Sequence, residues 1–136
     1  ALSEIMDGGS YSPVSSDTED YDVERRNDYS ALATSIVSYI ANNSGKLPEV
    51  GKLDAATYIN DTGADPSGHA YNLEVVDSAA DEYEMSWGAY EGIDTNVYVV
   101  LHATCQNGEL ADSDGDRDFA IAGSLEDGSY YCLSSN

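Results

Sequence analysis

The sequence has 136 residues, of which 41% are apolar, so it has room for one domain with one modest core. Twenty-six Asp and Glu against five Lys and Arg give a formal net charge of -21, which repels nucleic-acid phosphates and anionic lipid headgroups alike. We therefore expect no nucleic acid binding by this domain. We also expect no membrane span in this chain, because its longest wholly apolar run, residues 97–101, is far shorter than the ~20 residues that cross a bilayer.

The start of the chain predicts a flexible or docking arm over residues 1–16, ahead of a globular domain over residues 17–136. A small apolar patch is followed by Gly8, Gly9 and Ser10, which favour turns. An apolar patch on such an arm often binds a partner, so we expect the arm to be a docking segment.

A helix is predicted over about residues 17–43. Residues 17–20 supply an N-cap and acidic first-turn side chains, which the positive end of the helix dipole favours. Residues 42–45, of sequence Asn-Asn-Ser-Gly, and then Pro48 end it.

Apolar side chains in this helix recur at three- and four-residue spacing, which predicts one face packed against a sheet. Arg25, Asp28, Ser35 and Ser38 are expected mostly on the opposite, solvent-facing side. The predicted packing face consists of Val23, Tyr29, Leu32, Ala33, Ile36, Val37 and Ile40.

Short β runs separated by turns follow, and we expect a sheet over about residues 69–134. Residues 65–68 predict a turn, with Pro66 at its second position. The predicted strands are residues 69–76, 82–88, 95–103, 118–125 and 129–133, with a hairpin turn at residues 126–128. A helix packed on a four- to five-stranded antiparallel sheet is an α+β fold.

Two cysteines, Cys105 and Cys132, have no His or second Cys at metal-ligand spacing beside them. In an acidic, loop-rich domain they predict a single disulfide and an extracytoplasmic location. The alternative is two reduced, buried thiols in a cytosolic protein.

Alternating carboxylates at Asp112, Asp114, Asp116 and Asp118 form the sharpest local signal for a metal. Such oxygen ligands on a loop suit Ca²⁺, although Arg117 stands where an EF-hand needs glycine. In a chain this acidic, the alternative is four solvated side chains.

His69 and His102 are the only histidines, and no Gly-x-Ser-x-Gly sequence accompanies them. We expect His102, at the end of the most apolar strand, to be structural. No catalytic residues are predicted, and the protein is not expected to be an enzyme.

Several segments, in the right order, resemble type IV pilins from ultrasmall bacteria of the candidate phyla radiation. Residues 26–48 resemble the end of the pilin helix, and residues 65–71 resemble an Asp-Pro-x-Gly-x-x-Tyr element that follows it. Residues 117–121 and 124–132 resemble the closing Leu-Glu-x-Gly-x-x-Tyr-Cys region. The resemblance covers about residues 25–134.

This resemblance implies a pilin headgroup, in which a helix packs on an antiparallel sheet and Cys105 and Cys132 form the bridge. It implies a structural subunit of an extracellular, cell-surface filament, used in attachment, motility or DNA uptake. The partners would be copies of the same chain in a helical assembly. The residues expected to pack subunits together are Leu2, Ile5, Met6, Tyr29, Leu32, Ile36 and Ile40.

One feature departs from the family. Type IV pilins begin with an apolar helix of about 25 residues, and residues 1–24 are not that helix because Gly8, Gly9, Ser10 and Pro13 interrupt them. The chain is therefore a truncated or processed piece, a chain that docks on a separate apolar helix polypeptide, or a relative that assembles differently.

The sequence also leaves open a function from another class of protein. It is a secreted, non-catalytic binding module that recognises carbohydrate or a partner protein through exposed tyrosines and Trp87. Calcium in the Asp112–Asp118 loop would stabilise it, whereas the filament subunit needs no cofactor.

Overall fold

The computed structural model describes residues 16–77, 87, 95–125 and 129–135, with side chains of the first helix from residue 21 onward. Two helices and seven strands occur in this described part of the chain. In order they are α1 (Ser16–Asn42), β1 (Gly51–Lys52), α2 (Ala55–Tyr58), β2 (Tyr71–Asp77), β3 (Thr95–Leu101), β4 (Ala103–Gln106), β5 (Glu109–Asp112), β6 (Phe119–Ser124) and β7 (Tyr130–Ser134).

Helix α1 ends where its sequence predicts. Ser44 and Gly45 take positive φ angles of 61° and 82°, and the backbone N–H of Gly45 donates to the carbonyl of Ile40 at 2.8 Å. This left-handed ending satisfies a carbonyl that the helix leaves without a partner, and glycine adopts it without strain.

The main sheet has five strands in the order β1-β2-β3-β6-β7. All its pairs are antiparallel except β2 and β3, which run parallel from the pair Tyr71–Thr95 to the pair Asp77–Leu101. The prediction of an α+β fold with a four- to five-stranded antiparallel sheet is confirmed in part: the sheet has five strands but is mostly rather than wholly antiparallel. Parallel neighbours need a crossover of a dozen or more residues, and residues 78–94 separate these two strands.

The predicted strand over residues 82–88 and the hairpin turn at residues 126–128 lie outside the described residues, apart from Trp87. The antiparallel pairing of β6 with β7, from Ser124–Tyr130 to Ala120–Ser134, agrees with the predicted hairpin.

A separate hairpin, β4–β5, was not predicted, because the apolar pattern indicated one strand over residues 95–103. The strand is broken at His102, whose φ of 57° turns the chain out of the main sheet. Asn107 and Gly108, with φ of 54° and 82°, form the two-residue loop between β4 and β5. Asn-Gly is a strong hairpin signal and marks this loop in the sequence.

The central strands of the main sheet, β3 and β6, are buried on both faces. Helix α1 covers one face, and the hairpin β4–β5 contacts β6 and β7 near the other. The core on the helix side contains Tyr29, Leu32, Ile36, Ala55, Ile59, Tyr71, Leu73, Val75, Val97, Val99, Leu101, Phe119 and Ile121. The smaller core on the other side contains Tyr98, Val100, Ala103, Leu110, Ala120 and Ala122. Burial of β3 on both sides explains the apolar run at residues 97–101.

Among the described helices, neither is both long and apolar enough to cross a membrane.

Candidate functional site

The predicted disulfide is confirmed, and it joins two elements that are not neighbours in sequence. Cys105 in β4 bonds to Cys132 in β7, with Cα atoms 5.9 Å apart and a sequence separation of 27. Closing a loop of this length stabilises the folded chain by about 3.5 kcal/mol, because it restricts the unfolded ensemble. The bond also fixes the hairpin β4–β5 against the edge of the main sheet.

An aromatic cluster lies beside this bond. The indole of Trp87 stacks on the ring of Tyr130, with centroids 4.5 Å apart and planes 24° from parallel. The ring of Tyr98 meets Trp87 at 87°, with centroids 5.3 Å apart. The hydroxyl of Tyr130 accepts a hydrogen bond from the backbone N–H of Leu110 at 3.0 Å, which attaches the cluster to β5.

A concave pocket of about 430 Å³ opens where this cluster meets the tip of the hairpin. We call it the aromatic pocket. It is lined by Trp87, Asn107, Gly108, Glu109, Ser129 and Tyr130.

A buried ionic cluster fastens α1 to the sheet. Arg25 is fully buried, and its guanidinium lies 3.1 Å from the carboxylate of Asp65 and 2.8 Å from that of Asp22. The hydroxyl of Thr95, the first residue of β3, donates to the same Asp65 carboxylate at 2.6 Å. One carboxylate therefore joins the helix, the loop before β2 and the start of β3.

The pKa of Asp65 reflects this environment. Burial by itself would raise it, but hydrogen bonds from Thr95, Ser67 and the backbone N–H of His69, together with the charge of Arg25, lower it below its ordinary value. Asp65 is therefore held in its charged form, which the buried arginine requires.

Asp28 lies one helical turn after Arg25 in α1, and its pKa is shifted in the opposite direction from that of Asp65. Burial raises its pKa, although the hydroxyl of Tyr71 donates to its carboxylate at 2.6 Å and the amide of Asn60 lies 3.5 Å away. These contacts attach the helix to the start of β2. Both clusters connect α1 to the sheet or to the loop before β2.

The solvent-facing side of α1 from Tyr29 onward differs in charge from the rest of the chain. Charged residues make up 23% of the chain, yet none occurs from Tyr29 to Asn43. The exposed side chains from Ser30 to Ala41 are small or apolar and uncharged. We call them the outer face of α1: Ser30, Ala31, Thr34, Val37, Ser38 and Ala41.

Four residues of α1 differ from their predicted positions, and one of them is Asp28, which was expected in solvent but is half-buried against Tyr71 and Asn60. Val23 and Val37 were expected to pack on the sheet, but they are 51% and 53% exposed. Arg25 was expected in solvent and is buried, because Asp22 and Asp65 supply its charge partners. A helical spacing pattern cannot include Asp65, which lies 40 residues further along the chain.

The residues predicted to pack subunits together divide into two groups. Leu2, Ile5 and Met6 lie outside the described residues. Tyr29, Leu32 and Ile36 are fully buried in this chain's own core, and Ile40 packs against it. Because these helix side chains are already used inside the domain, contact between subunits would involve other surfaces.

The aspartates of the predicted calcium loop are spread along the turn between β5 and β6. Asp112, Asp114 and Asp116 are exposed, and Asp118 is half-buried, accepting a hydrogen bond from the hydroxyl of Ser113. In the part of the chain that the structure describes, no three His, Cys, Asp or Glu side chains come together as a metal site. Calcium binding here stays a prediction.

Both histidines have polar neighbours. The Nδ1 atom of His102 lies 3.1 Å from the carboxylate of Asp77 at the surface, and that of His69 lies 2.8 Å from the hydroxyl of Ser67. The backbone of His102 also bonds to Asp118 and Ser113, which is a structural role in the turn that starts β4.

Comparison of the chain with protein families, curated proteins and solved structures gives no match. The proposals below therefore stand on the residues and their geometry, and on the resemblance described above.

Proposed function

We propose that this chain is a structural subunit of an extracellular type IV pilus-like filament. The observation that carries the proposal is the outer face of α1, an uncharged helical surface on a chain with a net charge of -21. The confirmed disulfide and the packing of α1 on the sheet are also what the pilin resemblance implies.

Charge is the main obstacle to self-assembly of such a chain. Copies that each carry a large negative charge repel one another, and a like charge placed in a contact adds several kcal/mol of repulsion. Salt screens this repulsion only beyond about 8–10 Å, so surfaces in direct contact must themselves be free of unpaired carboxylates. The outer face of α1 meets this requirement over its whole length, from Ser30 to Ala41.

The shape of this surface also suits close packing between subunits. Small side chains such as Ala31 and Ser38 allow another backbone to approach, and Val37 adds exposed apolar area. On the opposite side, Tyr29, Leu32 and Ile36 anchor the helix in the core, so that the surface is presented on a rigid element.

Immunogold electron microscopy of cells that express the chain tests the proposal. Antibody raised against the purified domain is expected to label thin surface filaments at regular intervals, and a deletion strain serves as the control. Label found only on soluble secreted protein, with unlabelled filaments on the same cells, would reject the proposal.

The aromatic pocket favours a second candidate, the secreted non-catalytic binding module. The two candidates differ in assembly, because the module would be found as a free monomer. The sequence encoded upstream separates them too: a prepilin leader with an apolar helix supports the filament, and a plain secretory signal supports the module.

A further inference from the structure

We propose that the aromatic pocket binds an organic ammonium group, held between the aromatic pair Trp87–Tyr130 and the carboxylate of Glu109. The ligand class includes quaternary amines and the ammonium of a lysine side chain. This binding role goes beyond filament assembly and applies to the chain as a subunit or as a monomer.

The aromatic half of the pocket is held in place before any ligand arrives. Tyr130 is fixed by the hydrogen bond from Leu110 and by its stacking on Trp87. The disulfide between Cys105 and Cys132 holds β4 to β7, the strand that carries Tyr130. Aromatic rings attract cations through their electron-rich faces, and tryptophan does so most strongly.

The charged half of the pocket comes from the hairpin. Glu109 is the one charged residue among the six that line the pocket, and it lies at the start of β5, directly after the Asn107-Gly108 loop. At Gly108 a side chain would meet no atom within 4 Å, so there is open space at the tip of the hairpin. A pocket lined by both aromatic rings and a glutamate favours a ligand that carries a positive charge and apolar carbon atoms.

The charge of the whole chain acts in the same direction. A net charge of -21 concentrates cations near the surface and excludes anions such as phosphates, sulfates and carboxylates. A neutral sugar fits the polar rim of Asn107, Glu109 and Ser129 but gains nothing from this field. The test therefore compares a charged ligand with an uncharged ligand of the same shape.

The single tryptophan of the chain allows a direct measurement, because the indole N–H resonance of Trp87 is unique in a ¹H–¹⁵N spectrum. We would titrate the full chain with choline chloride and, separately, with 3,3-dimethyl-1-butanol, its uncharged analogue of the same shape, at constant ionic strength. Choline is expected to shift the indole resonance with a Kd on the order of 10 mM, a value typical of weak, exposed sites. The alcohol is expected to leave it unshifted.

A matched pair of variants tests the carboxylate. Glu109→Gln is expected to weaken choline binding by about threefold or more. Glu49→Gln changes the net charge equally but precedes β1, at the opposite edge of the sheet from β7, and is expected to bind choline like the unaltered chain. Circular dichroism spectra that match those of the unaltered chain confirm that both ligand-free variants are folded.

Two results would overturn the proposal. One is equal binding of choline and the alcohol, or of a neutral methyl glycoside, since charge would then be irrelevant. The other is equal weakening of choline binding by both variants, which would mean that the overall negative charge of the chain, and not Glu109, attracts the ligand. A parallel titration with Nα-acetyl-lysine N-methylamide separates the sources of the ammonium group: binding of choline alone indicates a small amine, and binding of both indicates a lysine of a protein partner.

Discussion

The ring of Tyr29 in α1 lies directly on the backbone of Gly123 in β6, in the space that a Cβ atom would need. The Tyr29 hydroxyl extends past this glycine and donates a hydrogen bond to the carbonyl of Ser124 at 2.7 Å. Because Tyr29 is fully buried and held at its hydroxyl, its ring cannot easily move aside. This contact therefore sets how closely the helix approaches the sheet.

A methyl group at position 123 is expected to push the helix away. Gly123→Ala should lower the free energy of unfolding by about 1–3 kcal/mol, the usual effect of overpacking a close-packed core. Urea denaturation followed by circular dichroism measures it.

The control for this prediction is the same change in a Tyr29→Leu background, where no ring occupies the space. There Gly123→Ala should have a clearly smaller effect. An equal loss in both backgrounds would mean that the methyl group meets something other than Tyr29.

Asp65→Asn is expected to destabilise the domain by about 3 kcal/mol near neutral pH, because it leaves the buried Arg25 with Asp22 as its remaining carboxylate partner. The folded-state pKa of Asp65 is below its ordinary value of 3.8. Its contribution is therefore complete above pH 3.8 and is lost as the pH falls through the folded-state pKa.

Thermal unfolding measured from pH 7 down to about pH 2 tests this dependence. The difference in melting temperature between the unaltered chain and Asp65→Asn should become smaller below about pH 4. Asp61→Asn, at an exposed turn, provides the control for the loss of one carboxylate and should be about as stable as the unaltered chain near neutral pH. A gap between Asp65→Asn and the unaltered chain that stays constant with pH would contradict the assigned pKa shift.

Removing the disulfide with the double change Cys105→Ser and Cys132→Ser is expected to lower the free energy of unfolding by about 3.5 kcal/mol. The same loss should follow reduction of the unaltered chain, and calorimetry with and without reductant compares the two. A reduced chain as stable as the oxidised one would show that the bond does not constrain the unfolded state.

Val37→Asp places a charge in the middle of the outer face of α1 and is expected to reduce filament assembly by roughly a hundredfold or more, because an unpaired charge at a contact costs several kcal/mol. Val50→Asp is the matched control, since Val50 is also highly exposed, at 62%, but lies outside α1. Filaments counted on cells that produce each variant give the comparison. Equal loss with both variants would remove the outer face of α1 from the assembly contact.

Local features of the fold were predictable from the sequence. The end of α1 follows from Ser44 and Gly45, and the strands β3, β6 and β7 follow from apolar runs between turn residues. The loop at Asn107 and Gly108 also has a local hairpin signal, although the apolar run that precedes it is the stronger pattern. These features depend on neighbours within a few residues.

Long-range features were not predictable in this way. The burial of Arg25 depends on Asp65, and the need for glycine at position 123 depends on Tyr29, 94 residues earlier. The parallel pairing of β2 with β3 likewise depends on tertiary contacts and not on the local sequence pattern. The aromatic pocket combines Trp87, the hairpin loop and β7, so Trp87 could be named from the sequence whereas its neighbours Glu109 and Tyr130 could not.

Helical reconstruction by cryo-electron microscopy of surface filaments from cells that express the chain tests the central claim most directly. The account predicts a repeating subunit that fits α1 and its five-stranded sheet, with the outer face of α1 from Ser30 to Ala41 buried against a neighbouring subunit. Filaments built from a different chain, with this protein recovered only as a secreted monomer, would contradict it.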